Sequence, residues 1–245
     1  MDWAVIRESL PLYADGLRVT LMLLAVSITA GFALSVPLAM ARVSPRPWLS
    51  KPVWLYTYVI RGTPLLVQLY MIYFGLAQFP AVRESFMWPM LKSAWFCAWF
   101  TFAINTTAYT TEIFAGALRA TPAGEIEAAR SLGMSPFAIY RRILWPGALR
   151  RALPQYGNEV VMMMHATAIA SAVSIVELTR VARDVYSNHL LPAEAFGTVA
   201  VFYFVLTFAF VGGFKLLERR YLRHLRPKSA DVAGSGPLAA SARPA

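Results

Sequence analysis

The chain has 245 residues, of which 58% are hydrophobic and only 15% charged, and its mean hydropathy is +0.50. That balance excludes an ordinary soluble globular domain. A formal net charge of +10 would suit a nucleic-acid binder, but the basic residues gather between long apolar runs, the distribution of a membrane protein with its Lys and Arg on one side.

Residues 1–16 form a short lead in which Trp3, Ile6, Leu10 and Tyr13 recur at helical spacing, as in a helix lying on a membrane surface. Asp2, Glu8 and Asp15 stand there against Arg7 and Arg18, unlike the basic start of a signal peptide, so no cleavage is expected. Five apolar runs follow, at about 17–41, 54–79, 93–118, 155–176 and 195–217. The first would extend roughly 37 Å as a helix, enough for a hydrocarbon core of about 30 Å. Pro45, Pro47 and Pro52 are expected to break the chain after it, and Arg61 to delay the lipid-crossing part of the second run until about Gly62. Trp88 and Trp95 suit an interfacial belt around the third run. A polar segment, Glu177 to Glu194, precedes the last run, and residues 218–245 begin basic and end rich in Ala, Ser, Gly and Pro, a composition that predicts disorder over 229–245. The expected fold class is therefore all-α integral membrane, with five transmembrane helices in one domain over 17–217. If the loop 119–154 is inside, seventeen of the twenty-three Lys and Arg lie on that side, which sets the N-terminus out and the C-terminus in. Five spans with no internal repeat count against a secondary carrier built from inverted halves.

The loop 119–154 is the longest polar island. Thr121-Pro122 reads as a hydroxyl N-cap with proline at the first helical position, Glu125 lies near the positive end of the helix dipole, and Gly133 suits a left-handed C-cap. Ser135-Pro136 starts a second helix by the same logic, and Pro146 is expected to stop or kink it. The spacing predicts two short helices joined by a bend and flanked by Arg119, Arg130, Arg141, Arg142, Arg150 and Arg151: a basic knob on a hydrophobic body.

Two acidic residues fall in or beside the runs. Glu159 begins the fourth, next to Asn158 and followed by Met162, Met163, His165 and Thr167. Acidic residues inside a membrane usually face a pathway or a partner. In a partly desolvated cavity the Glu159 carboxylate would attract a cationic side chain, while amide, hydroxyl and imidazole hold polar ends; alternatively it pairs with Arg150 or Arg151 and is purely structural. Glu112, near the knob, reads as structural rather than part of a path. Arg61, in the run Arg61-Gly62-Thr63-Pro64, reads as an anchor for backbone carbonyls freed by Gly62 and Pro64. The three His have no metal-ligand spacing, no Ser-His-Asp or Cys-His pairing is legible, and no phosphate-binding GxxxxGK[ST] loop occurs. The chain is not expected to be an enzyme or to hold a cofactor.

Four motifs in order carry a family resemblance: Arg61-Gly62-Thr63-Pro64-Leu65-Leu66-Val67-Gln68; Ala108 to Ile113; Glu127-Ala128-Ala129 with Gly133, Ile143 and Pro146; and Asn158-Glu159 with His165-Ala166-Thr167. Over about residues 17–226 the chain resembles the permease subunits of bacterial ABC importers for polar amino acids, of the M type that serves histidine/lysine/arginine/ornithine or opine uptake; Trp145 departs from the Leu usual before the proline. The resemblance implies the type I importer permease fold in the inner membrane, with periplasmic N-terminus and cytoplasmic C-terminus. It implies that Glu127, Ala128, Ala129 and Gly133 dock on a separate ATPase that binds ATP and Mg, with Arg141 and Arg142 meeting acidic ATPase residues or lipid headgroups. It implies a second, different permease, two ATPase subunits and a periplasmic binding protein that docks near Arg180, Arg183 and Asp184, with no nucleic acid. It also implies that the acidic residue at Glu159 reads the substrate charge; with the neighbouring Asn158, Met163, His165 and Thr167, and with Glu112, this gives the expected substrate path. An opine importer and an ATP-independent secondary carrier stand as the alternatives.

Overall fold

The structure is a computed structural model that describes residues 2–221; the expected tail over 229–245 lies outside the described residues. Eleven α-helices, with turns of other pitch between some of them, make up the described fold, and no strand occurs there. Helix α1 is Trp3–Arg42, α2 Pro47–Arg61 and α3 Leu65–Tyr70, which a π turn (Met71–Gly75) and a 3-10 turn (Leu76–Gln78) extend. Two short turns, α4 (Pro80–Arg83) and α5 (Trp88–Leu91), lead to α6 (Ala94–Arg119). The knob holds α7 (Ala123–Ser131) and α8 (Pro136–Ile139). A π turn at Tyr140–Leu144 joins α8 to α9 (Trp145–Ala166), which a 3-10 stretch continues over Thr167–Val173. α10 (Leu178–His189) and α11 (Pro192–Tyr221) complete the chain.

Among the described residues, α1 and α11 are long and apolar enough to cross a membrane, and two bent pairs raise the number to four if each counts as one span. The expected third span corresponds to the 26-residue α6, which is not among these candidate spans; it lies at the centre of the bundle, packed chiefly against α1 and then α9 and α2. It turns threonines inward, so its composition is less apolar than that of α1 or α11: Thr101, Thr106, Thr107, Thr110 and Thr111 are all buried.

Several boundaries differ from expectation for local reasons. The lead is not separate: α1 runs unbroken from Trp3, with Asp2 accepting hydrogen bonds from the Ala4 and Val5 amides, and Tyr13 is buried where its hydroxyl donates to the Ala195 carbonyl at 2.8 Å. Pro47 starts α2 rather than breaking it, and Pro52 is accommodated within it. The second span is not a straight helix, because α2 and the α3 segment meet at 101° around Gly62–Pro64. The carbonyls freed there are met by Thr63, whose hydroxyl donates to Val59 and Ile60, and by Gln68, whose amide donates to the Ile60 and Thr63 carbonyls. Arg61, expected to do this, points elsewhere. Part of the polar segment Glu177–Glu194 is α10, capped by the buried Glu177 carboxylate, which accepts from the Thr179 and Arg180 amides and the Tyr203 hydroxyl.

In the knob, Thr121 does not cap α7. Pro122 is the N-cap residue, and the Thr121 hydroxyl accepts from Arg151 instead. Gly133 adopts φ +73°, and the Gly133 and Met134 amides close back on Arg130 and Ala129, the left-handed C-cap expected for glycine. The Ser135 hydroxyl caps Ala138 with Pro136 at the first helical position. Pro146 does not stop the second helix. It sits in the first turn of α9, after the wide π turn, where its missing amide hydrogen is little loss, so the second knob helix runs on into the bundle.

Candidate functional site

A slot of about 460 Å³ opens between α6 and α9, within the ~300–1,000 Å³ usual for small-molecule sites. Its wall on α9 carries Arg151, Gln155 and Glu159, four residues apart and so on one face of the helix. The α6 wall carries Tyr109 and Glu112, and Arg61 reaches in from the corner at the end of α2. A slightly larger cavity, about 500 Å³, lies between Phe32, Leu149, Tyr156 and Phe214; its walls are aromatic and aliphatic with Arg150 at the rim, and it lacks a set of polar groups to orient a polar solute.

Glu159 is buried at one end of the slot, 9% exposed, and accepts a 2.9 Å hydrogen bond from the Thr106 hydroxyl of α6. It forms no ion pair with Arg150 or Arg151. Arg151 is engaged at the α6–α7 junction, donating from Nε to the Ala117 carbonyl at 3.1 Å and from a terminal nitrogen to Thr121. The guanidinium of Arg61 lies 5.1 Å from the centre of the Tyr109 ring, a cation–π contact that holds it across the slot. Glu112 lines the slot but is already committed: Arg42 Nε donates to it at 2.6 Å and the Thr57 hydroxyl at 2.7 Å, tying α1, α2 and α6 together.

The remaining expected path residues do not line this slot. Asn158 is exposed on another face of α9, Met163 is buried in the apolar core with Leu23, Leu69 and Phe102, and His165 Nε2 lies 2.9 Å from the Thr207 hydroxyl of α11. Thr167 is buried and donates to the Met164 carbonyl of its own helix. In the knob, Glu127, Ala128, Arg141 and Arg142 are exposed, and Ala129 is buried. Leu132 and Phe137, on either side of the Gly133 turn, are 82% and 71% exposed, a pair of apolar tips on a polar knob.

Sequence reasoning missed Tyr109 and Gln155 as slot residues and Thr106 as the donor to Glu159, and it gave Arg61 the wrong task. The i, i+4, i+8 series Arg151–Gln155–Glu159 was a usable signal; Thr106 gave none, being one threonine among several.

Opposed charges thus line one slot of a helical bundle that carries a capped basic knob. The chain belongs to the family of binding-protein-dependent transport system inner membrane components, whose profile matches residues 14–223. It is similar to the histidine/lysine/arginine/ornithine transport system permease protein HisM of Escherichia coli K12, 43% identical over 224 residues that cover 89% of this chain and 94% of the relative. The octopine transport system permease protein OccM of Rhizobium radiobacter is 42% identical over 217 residues, 89% of each chain. Among solved structures, a chain of an amino acid ABC transporter crystallised with histidines superposes with a TM-score of 0.81 at 35% identity, over 90% of this chain and 99% of that one.

Proposed function

We propose that this chain is the multi-pass inner-membrane permease subunit of an ATP-driven importer for basic amino acids or opines. In this reading the chain crosses the membrane five times, with the N-terminus in the periplasm and the knob in the cytoplasm. The skew of Lys and Arg supports that orientation, with Arg119, Arg130, Arg141, Arg142, Arg150 and Arg151 all at the knob. The subunit works beside a second, different permease, two ATPase subunits that bind ATP and Mg, and a periplasmic binding protein. Solute moves by alternating access. The exposed Leu132 and Phe137, with Glu127 and Ala128 nearby, supply the docking surface for the ATPase.

The observation that carries the substrate class is the buried Glu159 carboxylate at one end of a slot that also contains Arg61. This carboxylate, removed from water, has one hydroxyl donor and feels Arg61 only across the slot, without an ion pair, so a guanidinium or ammonium group of the solute is able to pair with it directly. Arg61 is the matching partner for the solute's own carboxylate. Both basic amino acids and opines carry such groups.

The test is uptake of radiolabelled arginine and octopine by proteoliposomes holding the complete complex, with Glu159→Gln beside the parent. ATP-dependent uptake by the parent and its loss in Glu159→Gln, with the complex still assembled and hydrolysing ATP, is the expected result. Unchanged uptake in Glu159→Gln refutes the role of this carboxylate, and uptake without the ATPase subunits would return the chain to the secondary carriers.

A further inference from the structure

The two helices of the knob reach the slot by different routes. α7 hangs from the end of α6, one wall, through residues 120–122, whereas α8 runs through the π turn into α9, the other wall. A displacement of α7 relative to α8 thus has a separate covalent route to each slot wall. Arg151 bridges the two routes. It stands on α9, two turns and about 12 Å along the axis from Glu159, and its guanidinium bonds both the end of α6, at the Ala117 carbonyl, and the junction to α7, at the Thr121 hydroxyl.

The local chemistry is built for this bridge. The Ala117 carbonyl has lost its helical partner, because the Thr121 amide has turned to Leu118 at 3.2 Å; the Arg151 Nε–H takes the vacated place, a cation at a helix C-terminus. Gly147, one turn earlier on α9, leaves room for the side chain: a Cβ there would stand 3.2 Å from a guanidinium nitrogen. Thr121, next to the Pro122 N-cap of α7, is buried and given over to Arg151.

We infer that Arg151 is a latch that couples the knob to the slot, holding α6 and α9 together at the knob end and releasing them when α7 is displaced. This rests on the reading of the knob as the ATPase dock. A latch makes two predictions that a mere structural contact does not. Its loss uncouples hydrolysis from transport instead of lowering both, and its two acceptors act as one unit.

The experiment measures ATP hydrolysed and arginine or octopine taken up in the same proteoliposomes, which contain the complete complex and binding protein. Arg151→Gln should lower the solute moved per ATP about fivefold or more, within the range of couplings between distant sites. Arg151→Lys, which keeps the charge but reaches one acceptor at a time, should recover part of it. Thr121→Val should shift the ratio in the same direction, and the double variant should be no worse than Arg151→Gln alone. Gly147→Leu, which crowds the guanidinium without removing it, should also lower the ratio. Uptake and hydrolysis falling in proportion, or the effects of Arg151→Gln and Thr121→Val multiplying, overturns the latch. A parent complex that hydrolyses ATP yet moves neither solute overturns the importer reading beneath it; a parent that transports while Arg151→Gln keeps the parental ratio overturns the latch alone.

Discussion

Glycine 31 lies on α1, outside the slot, yet its substitution should be felt by Glu159. A Cβ at this position would stand 2.3 Å from the Thr106 methyl carbon and 3.4 Å from the Thr107 backbone nitrogen. To regain ordinary carbon–carbon contact the Thr106 methyl must retreat by about 1 Å or more. Thr106 is only 1% exposed, so it has little free space, and a change of its rotamer moves the hydroxyl as well as the methyl. That hydroxyl is the donor to Glu159 at 2.9 Å. Overpacking of this kind costs about 1–3 kcal/mol, and losing a hydrogen bond to a charged group costs about 1.5–3 kcal/mol. Since about 1.4 kcal/mol is a factor of ten, Gly31→Ala should raise the KM for arginine uptake by about tenfold, besides lowering the melting temperature of the complex in detergent. Thr106→Val, which removes the hydroxyl and keeps the shape, should reproduce the KM effect with a smaller change in melting. A Gly31→Ala complex that melts lower but keeps the parental KM would refute the link between Thr106 and solute binding. One that matches the parent in both would refute the close packing of α1 on α6.

Other substitutions probe the rest of the framework. Gly133→Ala places a Cβ at φ +73°, which should destabilise the knob by about 1–2 kcal/mol, read as weaker retention of the ATPase subunits on purification, with Gly133→Asn milder; equal retention in all three would count against the turn as a docking element. Glu112→Gln removes the charge that Arg42 meets at 2.6 Å while leaving an acceptor for Thr57; with both side chains 18% exposed, the loss should lie between surface and buried pairs, about 1–3 kcal/mol, seen as a lower melting temperature. Phe137→Asp should strip the ATPase from the complex without lowering the melting temperature of the permease itself, because that ring is 71% exposed; a fall in melting without loss of ATPase would reverse the assignment.

What could be read in the sequence was what short-range chemistry decides. Gly133 and Ser135-Pro136 were legible because a left-handed cap and a hydroxyl cap are satisfied within a few residues. Pro146 was misread as a stop because the π turn just before it, Tyr140–Leu144, lets the helical run continue through the proline, and that turn has no clear sequence signature. The bend after α2 was flagged by Gly62 and Pro64, but its angle depends on Gln68 reaching back to Ile60. Arg61 was taken for that task because it is adjacent in sequence, whereas its contact is the Tyr109 ring. Glu159 stood out by its charge in an apolar run. Its donor, Thr106, is 53 residues away on another helix, and nothing local distinguishes it from Thr107 or Thr110.

The inward-facing threonines of α6 bear on how the chain gets into the bilayer at all. A helix with Thr101, Asn105, Thr106, Thr107, Thr110 and Thr111 along its length partitions weakly into lipid by itself. Thr101 and Thr107 soften the penalty by donating to the Cys97 and Ala103 carbonyls one turn back, which leaves less polarity facing outward. Of the remainder, Asn105 donates to Gln68 and Thr106 to Glu159, while the buried Thr110 and Thr111 hydroxyls have no hydrogen-bond partner among the described residues; the principal packing neighbour, α1, is among the most apolar segments and is made before α6. Because α1 precedes α6 in the chain and packs against it, α1 is available as the surface on which α6 is accepted. Weakening α1 as an insertion partner should therefore show up first as failed integration of α6.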